Sequence, residues 1–184
     1  LYYCPITGKI EYHNKGLKHI HNKEIVSIGD PDLRFEEDPV RSLRAIRFCT
    51  KLDFKINNNI KEAIYKKGHL LSSVSNARLF DEFCKIFLNG MAEKNFNKLV
   101  SFGLNKYLVS TNLNGCEFSN QLIIEALRNT DNRIKNNQSV TPVFLIAALL
   151  WPQLIKKSLK GNEINLKKFF RSMDSIIAEQ QRIT

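Results

Sequence analysis

Short aromatic and alternating runs at Leu1–Cys4 and Lys9–His13 flank Pro5-Ile6-Thr7-Gly8, a pattern that predicts a β-hairpin. Two strands alone are marginal in water, so this hairpin is expected to belong to a larger sheet. His19 to Gly29 reads as a linker with one strand-like patch, Glu24–Ile28, and Gly29-Asp30-Pro31-Asp32 as a turn. From there the apolar spacing becomes helical. Asp38-Pro39 sets an N-cap residue before a proline suited to the first helical position, and a helix is predicted to about Leu52. Further helices are predicted over 57–67, 76–90, 92–102, 118–130, 142–158 and 163–181, with Gly90, Gly103 and Gly161 as stops. No repeat of fixed period interrupts this series. Many helices on short connections predict a mainly α chain, an irregular helical neck and body behind a short N-terminal β-hairpin.

Composition narrows the class. With 43% hydrophobic and 25% charged residues, the 184-residue chain is globular and long enough for a real core. Its longest apolar run, Val143–Trp151, is about half a membrane span, and no basic-then-apolar leader opens the sequence. Cys4, Cys49, Cys84 and Cys116 are scattered without a Cys-x-x-Cys pair, so neither a disulfide scaffold nor a zinc site is expected, and a cytoplasmic setting is. The net charge of +10 suits a polyanion such as nucleic acid, and a Lys-, Asn- and Ile-rich bias explains it equally well. The first residue is Leu1 inside a β-like stretch and the last residues form no terminator, which suggests a piece of a larger protein.

Chemistry concentrates in Arg34-Phe35-Glu36-Glu37-Asp38-Pro39-Val40-Arg41-Ser42-Leu43-Arg44-Ala45-Ile46-Arg47-Phe48. At about 100° per residue, Val40, Leu43 and Ile46 share one side of the predicted helix, while Ala45, Phe48 and Leu52 neighbour Arg41 and Arg44. Lysine outnumbers arginine about two to one in the chain, yet this helix carries Arg at 41, 44 and 47. Arginine's planar fork is preferred where bidentate geometry matters. Two readings are open. One is a capped core helix with Glu37 paired to Arg41 at i,i+4. The other is base recognition, in which an Asp acceptor beside an Arg donor matches the N6 amino group and N1 of adenine.

This segment, with Lys51-Leu52-Asp53-Phe54-x-Ile56 after it, resembles the neck-helix motif of class II template-independent nucleotidyltransferases, the superfamily of bacterial poly(A) polymerases and CCA-adding tRNA nucleotidyltransferases. Asn76-Ala77-Arg78-Leu79-Phe80-Asp81-Glu82-Phe83 resembles the next neck motif. The segments at Leu122–Glu125, Asn129–Ile134 and Pro142–Trp151 are similar to the body of the poly(A) polymerase branch. The resemblance implies residues 1–25 as a remnant of an α/β head, 26–90 as the neck and 91–184 as part of a helical body. It implies ATP and RNA as substrate and partner, and attack of an RNA 3′-hydroxyl on the α-phosphate of ATP; no membrane partner is expected, and a monomer is favoured with the oligomeric state left open. Asp38 and Arg41 would contact the base, Glu37 would orient Arg41 or Arg44, and Arg34, Arg47, Arg78 and Glu82 would brace the neck. Mg²⁺ is implied too, but the head's Asp-x-Asp pair and phosphate loop are not in this sequence. Asp30-Pro31-Asp32 is expected to be a turn rather than a metal site, so the isolated chain is expected to be inactive.

The family's Gly-Gly-x-x-Asp-Leu turn is replaced by Lys15-Gly16-Leu17-Lys18-His19-Ile20, and His13, His19 and His21 read as an exposed loop of unpaired histidines. Lys156, Lys157, Lys160, Lys167, Lys168 and Arg171 form the densest basic cluster and Lys61, Lys66 and Lys67 a second; each is an RNA track or a solvated helix face. Trp151 beside Pro152 and the pair Phe169-Phe170 are expected in the core. The alternatives are a CCA-adding enzyme, and a non-catalytic RNA-binding fragment.

Overall fold

The computed structural model describes residues 2–11, 15–109, 117–160, 163–164 and 166–179, and the chain forms two compact units, 1–68 and 69–184. The boundary falls within residues 26–90, the stretch that the resemblance implies as the neck. His13, Cys116 and Gly161 lie outside the described residues.

In the first unit, β1 (Tyr2–Tyr3) pairs antiparallel with β2 (Ile10–Glu11), Tyr3 opposite Ile10, as the hairpin pattern predicts. The expected linker contains a short helix, α1 (Gly16–His21), entered through Lys15 in the left-handed region at φ 57°. Of the histidines expected to be exposed and unpaired, His21 is exposed on α1, whereas His19 is half-buried with Nδ1 3.7 Å from the Glu24 carboxylate. β3 (Glu24–Ile25) follows.

The stretch expected to be a turn is instead the start of α2 (Pro31–Glu37). Asp30 caps it by accepting from Asp32 N at 3.0 Å, and Pro31 occupies the first turn. After a break at Asp38 comes α3 (Val40–Leu52), one residue later than predicted, ended by Asp53 in the left-handed region. β4 (Lys55–Ile56) lies parallel to β3, and α4 (Asn58–Lys67) packs on α2, its start capped by Asn57. Phe35, Val40, Leu43, Ile46, Ile56, Ile60 and Ile64 are buried and form this unit's core. On α3 the spacing of Val40, Leu43 and Ile46 puts all three inward, as the helical period requires.

A 3-10 turn at Gly68–Ser73 leads on to the second unit's helices α5 (Asn76–Phe87), α6 (Ala92–Ser101), the short α7 (Asn105–Leu108), α8 (Glu117–Lys135), α9 (Pro142–Ser158) and α10 (Leu166–Glu179). A two-residue hairpin, β5 (Leu159–Lys160) with β6 (Glu163–Ile164), joins the last two. Gly90 and Gly103 lie at φ 81° and 67°, where the chain must leave α5 and α6. α8 runs past its predicted end until Asn137, at φ 55°, lets Gln138 N reach the Arg133 carbonyl at 2.8 Å and close the terminus.

Two side chains lock these helices. Asn95, fully buried, donates to the Ile86 carbonyl near the end of α5 at 2.7 Å. Asp131 of α8 accepts from Ala92 N at 2.6 Å and Glu93 N at 3.2 Å, capping α6, whose own N-cap residue Met91 makes no such bond. No helix among the described residues is long and apolar enough to cross a membrane.

Candidate functional site

The geometry that positions a side chain here is a break between two helices. Asp38 takes an extended conformation, φ −149° and ψ 95°, which stops α2 and turns the chain into α3. Its Oδ1 accepts from Val40 N at 3.3 Å, so it caps α3 through one oxygen, as an acid at a helix N-terminus should. Its other oxygen, Oδ2, lies 3.9 Å from Arg41 Nε. That nitrogen is buried and makes no hydrogen bond. The side chains of Asp38 and Arg41 are 22% and 41% exposed, so both still reach solvent. An acceptor and a donor fork therefore stand side by side at the start of one helix, an arrangement able to pair with a donor and an acceptor on one ligand edge.

The expected partners distribute differently. Glu37 does not face along α3: because α2 continues to Glu37, its carboxylate meets Arg34 Nη1 at 3.0 Å, three residues back on the same helix. Arg34 Nε also donates to the Ile28 carbonyl at 3.0 Å, tying α2 to the preceding loop. Arg34 is thus a brace, and Glu37 orients it. Arg44 is exposed, and Arg47 lies over the Phe48 ring at 4.6 Å. In the second unit, Arg78 is exposed on α5, while Glu82, one turn on, is buried with its carboxylate 3.1 Å from Lys85 Nζ. Lys85 also meets Asp81, and these bonds hold its ammonium pKa above the usual lysine value.

The smaller basic cluster is consumed by the fold. Lys66 faces Asp32 at 3.6 Å, Lys67 meets Glu36 at 2.5 Å, and Lys61 reaches Asn58 at 3.4 Å, so α4 is stitched to α2 and to itself. The hydrogen bond from Lys67 to Glu36 raises the lysine pKa. The larger cluster differs: Lys156, Lys167, Lys168 and Arg171 are exposed and Lys157 is half-buried; the Lys160 side chain lies outside the described residues.

Trp151 is not core. It is 42% exposed, contacts Phe169 edge-on at 6.2 Å, and lines a groove between α8 and α9 together with Phe144, itself 45% exposed. Phe170 is 57% exposed, so that half of the Phe169-Phe170 pair also departs from the expectation.

The residues do not fit the magnesium ions that the resemblance implies. Asp30 caps α2 and Asp32 faces Lys66, and no group of three His, Cys, Asp or Glu side chains converges among the described residues.

Comparison with known proteins supplies the family. A family described as "Probable RNA and SrmB- binding site of polymerase A" matches residues 53–111. Poly(A) polymerase I of Salmonella typhi is 34% identical over 165 residues, which is 87% of this chain and 36% of that protein. The CCA-adding enzyme of Pediococcus pentosaceus is 37% identical over 92 residues, 50% of this chain and 23% of that protein. The crystal structure of the Bacillus stearothermophilus CCA-adding enzyme in complex with CTP superposes with a TM-score of 0.53 at 29% identity, covering 68% of this chain and 29% of that one. The chain spans about a third of the length of the poly(A) polymerases it matches. With these likenesses and the motif around Asp38 and Arg41, the chain belongs to the template-independent nucleotidyltransferase superfamily of bacterial poly(A) polymerases and CCA-adding enzymes.

Proposed function

We propose that this chain is the base-recognition and RNA-binding part of a polynucleotide adenylyltransferase, which adds AMP from ATP to RNA 3′ ends. The observation that carries base recognition is the Asp38–Arg41 pair, with Oδ2 and Nε 3.9 Å apart and the rest of both side chains still reaching solvent. Adenine presents an amino donor at N6 beside an acceptor at N1, so Asp38 takes the first and Arg41 serves the second. Arg34, held by Glu37 and by the Ile28 carbonyl, fixes the end of α2 from which Asp38 projects. Pyrophosphate release and metal binding are assigned to none of this chain's residues.

Arg41→Ala in the complete protein tests this. A charge-assisted hydrogen bond lost to the base is worth about 1.5–3 kcal/mol, or roughly a 10- to 150-fold loss of discrimination between ATP and CTP. RNA binding is expected to change far less. Unchanged nucleotide selectivity rejects the role.

The poly(A) branch is favoured because the likeness to poly(A) polymerase I extends over 165 residues, against 92 for the CCA-adding relative. A CCA-adding activity is the second reading, supported by the 37% identity over that shorter stretch. Incorporation of CTP into tRNA lacking its CCA end by the complete protein decides for the second.

A further inference from the structure

We infer that the groove between α8 and α9, walled by Phe144 and Trp151, holds unpaired bases of single-stranded RNA. The inference rests on the RNA-binding reading above and names a site outside residues 53–111, the stretch matched by the RNA-binding family.

Phe144, Ala147, Ala148 and Trp151 all line the groove and follow at i, i+3, i+4 and i+7, so they form one stripe of α9. The two aromatic residues stand at the ends of the stripe and the two alanines make a low floor between them. Seven residues of helix rise about 10.5 Å, which is close to three base-stacking steps of about 3.4 Å. The interval between the two aromatics thus has room for two stacked bases. The groove measures about 530 Å³, within the usual range of a ligand site.

Polar groups for base edges are present. Asn129 is exposed on the α8 wall and offers both a donor and an acceptor. Pro152 has no N–H for the Ala148 carbonyl, so its oxygen lacks the ordinary helical partner on a residue that lines the groove. Glu125, also in the wall, is held by Arg128 at 3.1 Å.

Charge favours RNA over a protein as the occupant. α9 carries no acidic residue and ends in Lys156 and Lys157. α10, packed on α9, carries Phe169, whose ring touches Trp151, and the exposed cations Lys167, Lys168 and Arg171. At the opposite end, Arg133 borders the adjoining cleft that Phe144 shares. Exposed aromatic rings flanked by cations are the combination by which proteins hold single strands: rings stack bases and cations track phosphates.

Trp151 is the chain's sole tryptophan, so its emission reports on the groove directly. The full 184-residue chain titrated with a short oligoadenylate is expected to lose Trp151 emission, and a duplex of the same length to quench it far less. Phe144→Ala keeps the reporter and alters an exposed residue; affinity for the single strand is expected to fall about tenfold, with the far-UV spectrum and thermal midpoint unchanged. RNA binding with constant Trp151 emission and no effect of Phe144→Ala overturns the groove while leaving the RNA reading in place. Absence of RNA binding by any readout overturns both. A concentration-dependent dimer that itself shifts Trp151 emission also overturns the inference, since the groove is then a contact between copies.

Discussion

Removing the Asp131 carboxylate offers a sharp energetic test of how the second unit is held. α6 begins without a capping side chain of its own, and Asp131, about forty residues away in sequence, supplies two acceptors, 2.6 Å from Ala92 N and 3.2 Å from Glu93 N. Asp131→Ala leaves both N–H groups without that partner. Losing a helix cap costs about 0.5–2 kcal/mol, and hydrogen bonds to a charged group reach about 1.5–3 kcal/mol each. Asp131 is half-buried, so water replaces part of what is lost. The expected net cost is about 2–3 kcal/mol, within the range of those two effects, or about 5–10 °C in Tm for a chain of this size. Asp131→Asn keeps one acceptor oxygen but loses the second bond and the charge that the helix dipole favours, and should cost about 1–2 kcal/mol. Urea titrations of the three proteins, followed by far-UV circular dichroism, give the order directly. An alanine variant within about 0.5 kcal/mol of the parent, the spread of a neutral surface change, refutes the capping argument.

Three further outcomes are expected. Lys15→Gly should raise stability by about 0.5–1 kcal/mol, because relief of the left-handed conformation at φ 57° exceeds glycine's larger entropy loss; a lower thermal midpoint contradicts this. The isolated chain should not extend an RNA primer with ATP and Mg²⁺, since no carboxylate group that could hold the metal converges among its described residues; tailing by pure material contradicts this. Thiol alkylation followed peptide by peptide on raising the pH should reach Cys4 before Cys84. Hydrogen bonds, first from the Thr7 side chain, lower the Cys4 pKa and so raise its thiolate fraction, while burial, aided by Asp81, raises that of Cys84. Cys49, buried with its thiol donating to the Phe54 carbonyl at 2.8 Å, should react last.

Helices with strong periodicity and a start signal were legible in the sequence. α9 and α4 lie where the pattern places them to within a residue, and α3 differs only in beginning after Pro39 rather than at it. α2 was missed although its start repeats the signature used for α3: Asp30-Pro31 is the same cap-then-proline pair as Asp38-Pro39. Reading Gly29–Asp32 as a turn hid it, and with it the true partner of Glu37. An i,i+4 pair with Arg41 requires one continuous helix, whereas the extended Asp38 separates the two side chains and leaves Glu37 on the helix of Arg34. Asp38 and Arg41 were identified from motif resemblance, and their side-by-side placement follows from the i,i+3 step across the helix start.

Exposure at α9 and the fate of the lysines were not legible, for a common physical reason: both depend on which neighbours arrive. α9 is apolar on nearly every face, so its period cannot say which stripe is covered. Tertiary packing buries Leu145, Leu149 and Leu154 and leaves Phe144 and Trp151 at the surface. A net charge of +10 likewise does not distinguish lysines that contact RNA from lysines that hold the fold. Lys66, Lys67 and Lys85 each find a carboxylate within their own unit, which removes them from the cationic surface that the sequence suggests. Among the described side chains of α9 and α10, the exposed cations are Lys156, Lys167, Lys168 and Arg171, a smaller set than the charge count. If the groove binds RNA, the salt dependence of that binding should report about this many phosphate contacts rather than the full net charge, because only cations that replace condensed counterions enter the slope.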